Sequence, residues 1–150
     1  IMIETAASAI ISDFFAEKAD FFSFGTNDLT QYSIGVDRDN TKVSYLFDEM
    51  HPAIIRMIWQ TVKNADAQKI SISVCGEMAS RPEGIAVLAG IGVRNFSMSA
   101  SKINAAKELL SKHSIKEFEL LAEKALKTPS ASAIKKLAET LINSTASLHK

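Results

Sequence analysis

Two acids, an amide, an arginine and a thiol lie along the first half of this sequence at positions where they could hold a metal ion and an anion. Glu4 closes the short apolar run "IMIE". Asn27 and Asp28 follow "DFFSFG", Arg38 comes ten residues after Asp28, and Cys75, the only cysteine, ends "ISISVC". Two carboxylates with room left for water suit Mg²⁺, a hard cation that takes few protein ligands. An arginine fork can clamp phosphate through two parallel hydrogen bonds. An amide can face an oxyanion, and a thiol can pass a proton or attack. Each residue also has a purely structural use. Glu4 and Asp28 could cap the helices that follow them. Asn27 could close a turn, and Arg38 could pair at the surface with Asp37 or Asp39. Cys75 could be a small buried hydrophobe. Residue type and spacing leave both sets of readings open.

The elements that must position these residues are legible as a repeated pattern. "IMIE" (1–4), "DFFSFG" (20–25), "ISISVCG" (70–76) and "NFSMSA" (95–100) are compact apolar runs that read as strands. Helical periodicity predicts a helix over 5–19, with Ile10, Ile11, Phe14 and Phe15 at helical spacing. A long connection with a short helical turn at 28–34 is expected next. Helix 51–68 opens on Pro52, well placed for a first turn, and its Ile54, Ile55, Ile58, Trp59 and Val62 form one apolar face. Helix 81–92 ends in a glycine-rich turn. Helices follow over 101–112, about 115–127 and about 130–147. Strand then helix, four times over, implies a parallel sheet with right-handed crossovers. Such strands are expected to be buried on both faces. Glu4, Asn27, Asp28 and Cys75 then share one location, the C-terminal edge of the sheet, where parallel α/β folds bind ligands.

Composition narrows the classes. The chain has 150 residues, 47% hydrophobic and 23% charged, and its formal net charge is zero. Zero net charge gives no pull toward nucleic acid or acidic membranes. No apolar run reaches the roughly 18 residues of a membrane helix, and no leader pattern is visible. A single cysteine excludes an internal disulfide and fits a reducing, cytoplasmic compartment. His51 is expected at a helix start, and His113 and His149 are expected to be solvated. No Cys/His spacing suits zinc, and no phosphate-binding P-loop or dinucleotide fingerprint is present. The first residue, Ile1, reads as mid-strand, which suggests part of something longer.

"IMIETAA", "DFFSFGTNDLTQYSIGVDRDN", "HPAIIRMI", "VCGEMAS" and "FSMSAS" occur in this order across residues 1–110. In content and spacing they resemble the C-terminal half of the phosphoenolpyruvate-binding barrel of the enzyme I family, the phosphoenolpyruvate–protein phosphotransferases of the bacterial sugar phosphotransferase system. Pyruvate phosphate dikinase and phosphoenolpyruvate synthase share this domain type. Ser80 and Ser101 stand where the family commonly has glycine and proline, and Thr5 and Ala6 where valine and proline are usual.

The resemblance implies half of a (β/α)8 barrel, four parallel βα units over 1–112, with a helical C-terminal tail over 113–150. It implies Glu4 and Asp28 as ligands of a Mg²⁺ cofactor, Asn27 and Arg38 as contacts to phosphoenolpyruvate and its phosphate, and Cys75 as the acid that protonates the enolate carbon. It implies transfer of phosphate to a histidine elsewhere in the enzyme, then to a small carrier protein that is itself phosphorylated on histidine. A homodimer is expected, with no nucleic-acid or membrane partner, and this stretch alone is expected to be inactive. A non-catalytic assembly or regulatory module of the same ancestry, or a piece of the dikinase or synthase, is the alternative.

Overall fold

The computed structural model of the protein describes residues 1–144. Four strands, β1 (Met2–Ile3), β2 (Phe21–Gly25), β3 (Ser71–Cys75) and β4 (Asn95–Phe96), form one sheet in chain order, all parallel. The architecture is a partial βα barrel followed by C-terminal helices. Between β1 and β2 lie α1 (Ala6–Ile10) and α2 (Ser12–Ala16). Between β2 and β3 lie α3 (Thr26–Ile34), a 3-10 turn at Ser44–Leu46 and α4 (Pro52–Gln68). Between β3 and β4 lie a 3-10 turn at Glu77–Ser80 and α5 (Pro82–Ile91). Then come α6 (Ala100–Lys112), α7 (Ile115–Leu126) and α8 (Ala131–Ser144).

The helix ends follow from local chemistry. His51 Nδ1 accepts the Ala53 amide at 3.2 Å ahead of Pro52, and α4 stops at Lys69, which adopts a left-handed conformation. Ser114 and Glu117 close a reciprocal capping box at the start of α7. The single helix expected over 5–19 is broken at Ile11. There Ser12, fully buried, turns its hydroxyl back to the Ala9 carbonyl at 2.8 Å and accepts from Asn64 of α4 at 2.8 Å. A side chain that bonds its own backbone competes with the helix ladder. The helical turn expected at 28–34 is α3, which begins two residues earlier, directly beyond Gly25, and the rest of the expected connection follows it up to α4.

The sheet is buried on one face only, which corrects the expectation of two. Ile3, Phe22, Phe24, Ile72 and Val74 point into the helical layer and are buried, whereas Ser23, Gly25, Ser73 and Cys75 on the other face are half-exposed. Strand side chains alternate, and the face that looks toward the barrel axis carries serine, glycine and cysteine at the C-terminal half of β2 and β3, with the exposed Met2 and Phe21 on the same side. Behind the sheet, one core joins Phe22, Phe24, Ile54, Ile58, Val62 and Leu88 to Phe118, Leu121 and Ile134 of the tail. His113 is also inside, 7% exposed, its ring 5.5 Å from that of Phe118. The expectation of a solvated His113 fails because the turn between α6 and α7 folds that residue back under α7. His149 and the end of the helix expected to reach 147 lie outside the described residues.

Candidate functional site

The parallel register lines up the candidate residues. Ile3 pairs with Phe24, and Gly25 pairs with Cys75, so Glu4, Gly25 and Cys75 stand side by side at the C-terminal edge. Gly25 leaves the space that Glu4 uses. A Cβ at position 25 would lie 3.2 Å from Glu4 Oε2 and 3.2 Å from Glu4 Cβ. Glu4 is not the cap of α1, because Thr5 fills that place with Ser8 as its capping-box partner. Its carboxylate is left to face the edge.

Asp28 sits in the first turn of α3, close behind Gly25. Helix N-termini carry unsatisfied N–H groups and favour negative charge. Arg38 Nη1 lies 3.6 Å from Asp28 Oδ1, each side chain a little over a third exposed. Asp37 is engaged elsewhere, its Oδ1 accepting the Asp39 amide at 2.9 Å. The Arg38 backbone is tied to α3, its N–H donating to Gln31 Oε1 at 3.2 Å. So Arg38 is brought over Asp28 and does not pair with its sequence neighbours.

Asn27 does not close its own turn. Its Oδ1 accepts the Glu77 amide at 3.1 Å and so bridges the β2 end to the β3 end. That leaves its amide N–H₂ with donors to spare. Cys75 is half-buried, its thiol donating to the Phe24 carbonyl at 3.2 Å. Beside it Gly76 has φ +99°, and a Cβ there would collide with the Thr26 hydroxyl. Only glycine reconciles that backbone with that neighbour.

Three members of this arrangement lie outside the residues that sequence reasoning selected. Thr26 is fully buried, its hydroxyl 2.6 Å from Glu49 Oε1 and 3.1 Å from the Cys75 carbonyl oxygen. Glu49 is 2% exposed and also accepts the Met78 amide at 3.2 Å. Burial pushes the Glu49 carboxyl above the usual carboxylate range, against the lowering effects of the Thr26 and Met78 hydrogen bonds. Glu77 forms an exposed ion pair with Arg81 at 2.5 Å. In the sequence, Glu49 is one of two adjacent acids before "MHP", and nothing local separates it from Asp48. Asp48 stays partly buried and pairs with Lys135 at 2.7 Å, while Glu49 turns fully inward.

The edge therefore presents two carboxylates, Glu4 just past β1 and Asp28 in the first turn of α3 after β2, with a guanidinium over Asp28, an amide with free donors and a thiol. That donor set fits Mg²⁺, which needs one or two carboxylates and keeps several waters. Glu4 and Asp28 would hold it. Among the described residues no three His, Cys, Asp or Glu side chains gather into a protein-only metal cage. No helix of the described residues is long and apolar enough to cross a membrane.

Residues 1–115 match the family described as PEP-utilising enzyme, PEP-binding domain. The chain is 41% identical over 139 residues, 93% of its length, to the phosphoenolpyruvate-protein phosphotransferase of Mycoplasma pneumoniae. It is 41% identical over 143 residues to that of Buchnera aphidicola. Against the multiphosphoryl transfer protein of Xanthomonas campestris it is 42% identical over 137 residues, 91% of its length and 16% of the relative's. The chain spans about a quarter of the phosphotransferases it matches, 24% and 25% of the Mycoplasma and Buchnera proteins.

Proposed function

We propose, from the premise that this chain belongs to the PEP-utilising enzyme family through its PEP-binding domain, that it supplies the metal-holding, substrate-contacting and protonating side of a phosphoenolpyruvate–protein phosphotransferase. The observation that carries this reading is the register that sets Glu4, Gly25 and Cys75 in one row, with Asn27, Asp28 and Arg38 immediately above it.

In this reading Arg38 takes the phosphate of phosphoenolpyruvate, turning from Asp28 to a more charged partner. Asn27 donates its amide N–H to the substrate's oxygens. A Mg²⁺ held by Glu4 and Asp28 would supply fixed positive charge where negative charge develops. The bond between phosphorus and the enol oxygen breaks, and its electron pair stays on that oxygen. The phosphoryl group passes to a histidine nitrogen outside this chain, and onward to a small carrier protein. Cys75 then gives its thiol proton to the terminal carbon of the enolate, which yields pyruvate, and the thiolate recovers a proton from solvent. Positioned charge is what phosphoryl transfer requires most, and most of the side chains at this edge are charged or strongly polar. The names of the relatives support the phosphotransferase reading over the dikinase or the synthase.

The same reading places residues 1–112 as a barrel half and 113–150 as its helical tail, in the cytoplasm, and acting on sugar transport through the carrier. It also includes a homodimer. Among the described residues the β1 strand has a partner only on its β2 side, and an open edge is a template for another chain. Alone, the chain is expected to lack phosphotransfer, since the accepting histidine lies elsewhere.

The deciding experiment is Cys75→Ala in a phosphotransferase that contains this chain. Pyruvate release should fall by a factor of 100 or more, in the range of a lost general acid, while phosphoenolpyruvate still binds, because an acid used only in the chemical step adds nothing to the ground state. Unchanged turnover would return Cys75 to a packing role.

A further inference from the structure

Behind the row of strand ends lies a carboxylate that the reaction above does not use. Glu49 places one oxygen, Oε1, between two donors, the Thr26 hydroxyl at 2.6 Å and the Met78 amide at 3.2 Å. Its other oxygen, Oε2, is buried with no hydrogen-bond partner among the described residues. Buried polar atoms are almost always paired, so an orphan of this kind calls for a reason. The Thr26 hydroxyl is also within 3.1 Å of the Cys75 carbonyl oxygen. A hydroxyl carries one proton and two lone pairs. Thr26 can therefore give that proton to Glu49 or to Cys75, but not fully to both.

We propose that Glu49 is a positioning residue that acts through the Thr26 hydroxyl on the Cys75 carbonyl, so that its protonation state sets how the Cys75 turn is held. With Glu49 ionised, its carboxylate is the stronger acceptor and takes the Thr26 proton. The Cys75 carbonyl then loses that donor. With Glu49 protonated on Oε1, the carboxyl O–H donates to Thr26 Oγ1, and the hydroxyl turns its own proton to the Cys75 carbonyl. One proton exchanged with solvent is the whole difference between the two states. Gly76 keeps the path open, since any side chain there would strike the Thr26 hydroxyl.

The charges around Glu49 are mixed. Burial raises its carboxyl above the usual range, and the nearby charge of Glu77 adds to the rise. The hydrogen bonds from Thr26 and Met78 and the charge of Arg81 act the other way. A folded-state value above the unfolded one means that the neutral form favours the fold. The associated stability is complete below the unfolded value and is lost as pH rises through the folded value. Glutamine in place of Glu49 keeps an acceptor oxygen for Thr26 and Met78 and cannot ionise. Glu49→Gln should therefore remove that decline.

What Cys75 does in catalysis belongs to the functional reading above; the path from Glu49 to its carbonyl does not depend on that reading. The test needs no substrate. Cys75 is the only cysteine, so cysteine labelled with ¹³C at its carbonyl gives one signal. In the wild-type chain that signal should shift with pH in one step, in the range above ordinary carboxylate values. Glu49→Gln and Thr26→Val should each lose the step, and Thr26→Ser, which keeps the hydroxyl, should retain it. A wild-type carbonyl signal that is flat over that range would overturn the proposal. So would a step that survives in Glu49→Gln, or in Thr26→Val if the glutamine variant does not fold. A failed phosphotransfer reading would leave these results untouched.

Discussion

Helix α7 turns Phe118, Leu121, Ala122 and Ala125 into the core, and α8 adds Ile134 and Ala138. In residues 1–21, by contrast, Met2, Ile10, Ile11, Phe14 and Phe21 remain in solvent, Phe14 with 65% of its surface exposed. The two regions are similar in apolar character, and what differs is the neighbour. α5 offers α7 a surface of alanines and glycines that backbone can approach, and Gly90 meets the Phe118 carbonyl directly. α1 and α2 instead bury small residues, Ala9, Ser12 and Ala16, against α4, leave Ile10 and Phe14 outside and pack only Phe15, in part, against the core. Hydrophobic periodicity says which side chains share a face. It does not say whether anything covers that face.

The comparison breaks most readily at Phe118. Its ring is 1% exposed and lies in the single core shared by sheet and tail. Phe118→Ala should cost about 3–5 kcal/mol, the usual range for truncating a core aromatic. Urea unfolding followed by the fluorescence of Trp59 measures it. A cost below about 1 kcal/mol, the size of an ordinary surface change, would mean that the tail only rests on the barrel half.

Gly90→Ala is expected to come next. The added methyl would overlap the Phe118 carbonyl and come within 2.9 Å of Ala122 Cβ, so α7 must move. Overpacking of this kind costs about 1–3 kcal/mol. Backbone lies on the far side, with no flexible side chain to yield, which favours the upper part of that range. A neutral Gly90→Ala in the same assay would show that α7 can slide freely over α5.

The order of strands and helices was legible because it rests on short-range signals: apolar runs closed by glycine at Gly25 and Gly76, and Pro52 at a helix start. The convergence of Glu4, Asp28 and Cys75 on one edge was legible too, since parallel strands put their C-termini together whatever their side chains. What could not be read depends on distant partners. Glu49 is buried by Thr26 and Met78, 23 and 29 residues away. Arg38 could have met Asp37 or Asp39 but lies over Asp28 because Gln31 holds its backbone. The break at Ile11 depends on Asn64, 52 residues from Ser12. The serine-lined face of β2 and β3 was present in the letters, but alternation was masked by the aromatic run "FFSF".

The smallest expected effect on stability is the one that sharpens the comparison most. Phe14→Ser removes a large ring that touches mainly water, so the chain's own unfolding free energy should stay within about 0.5 kcal/mol of wild type. If the proposed homodimer covers this flank, the same change should act on association. An aromatic side chain enclosed at the centre of an interface costs about 2 kcal/mol or more when it is lost, and each 1.4 kcal/mol is about a tenfold change in dissociation constant. Sedimentation across a concentration series should then show at least tenfold weaker self-association for Phe14→Ser, with the monomer's melt unchanged. Equal association in both proteins would place the contact elsewhere and leave Phe14 as a solvent-facing residue. A large loss of monomer stability would contradict the comparison itself, because it would mean that Phe14 already has a neighbour within its own chain.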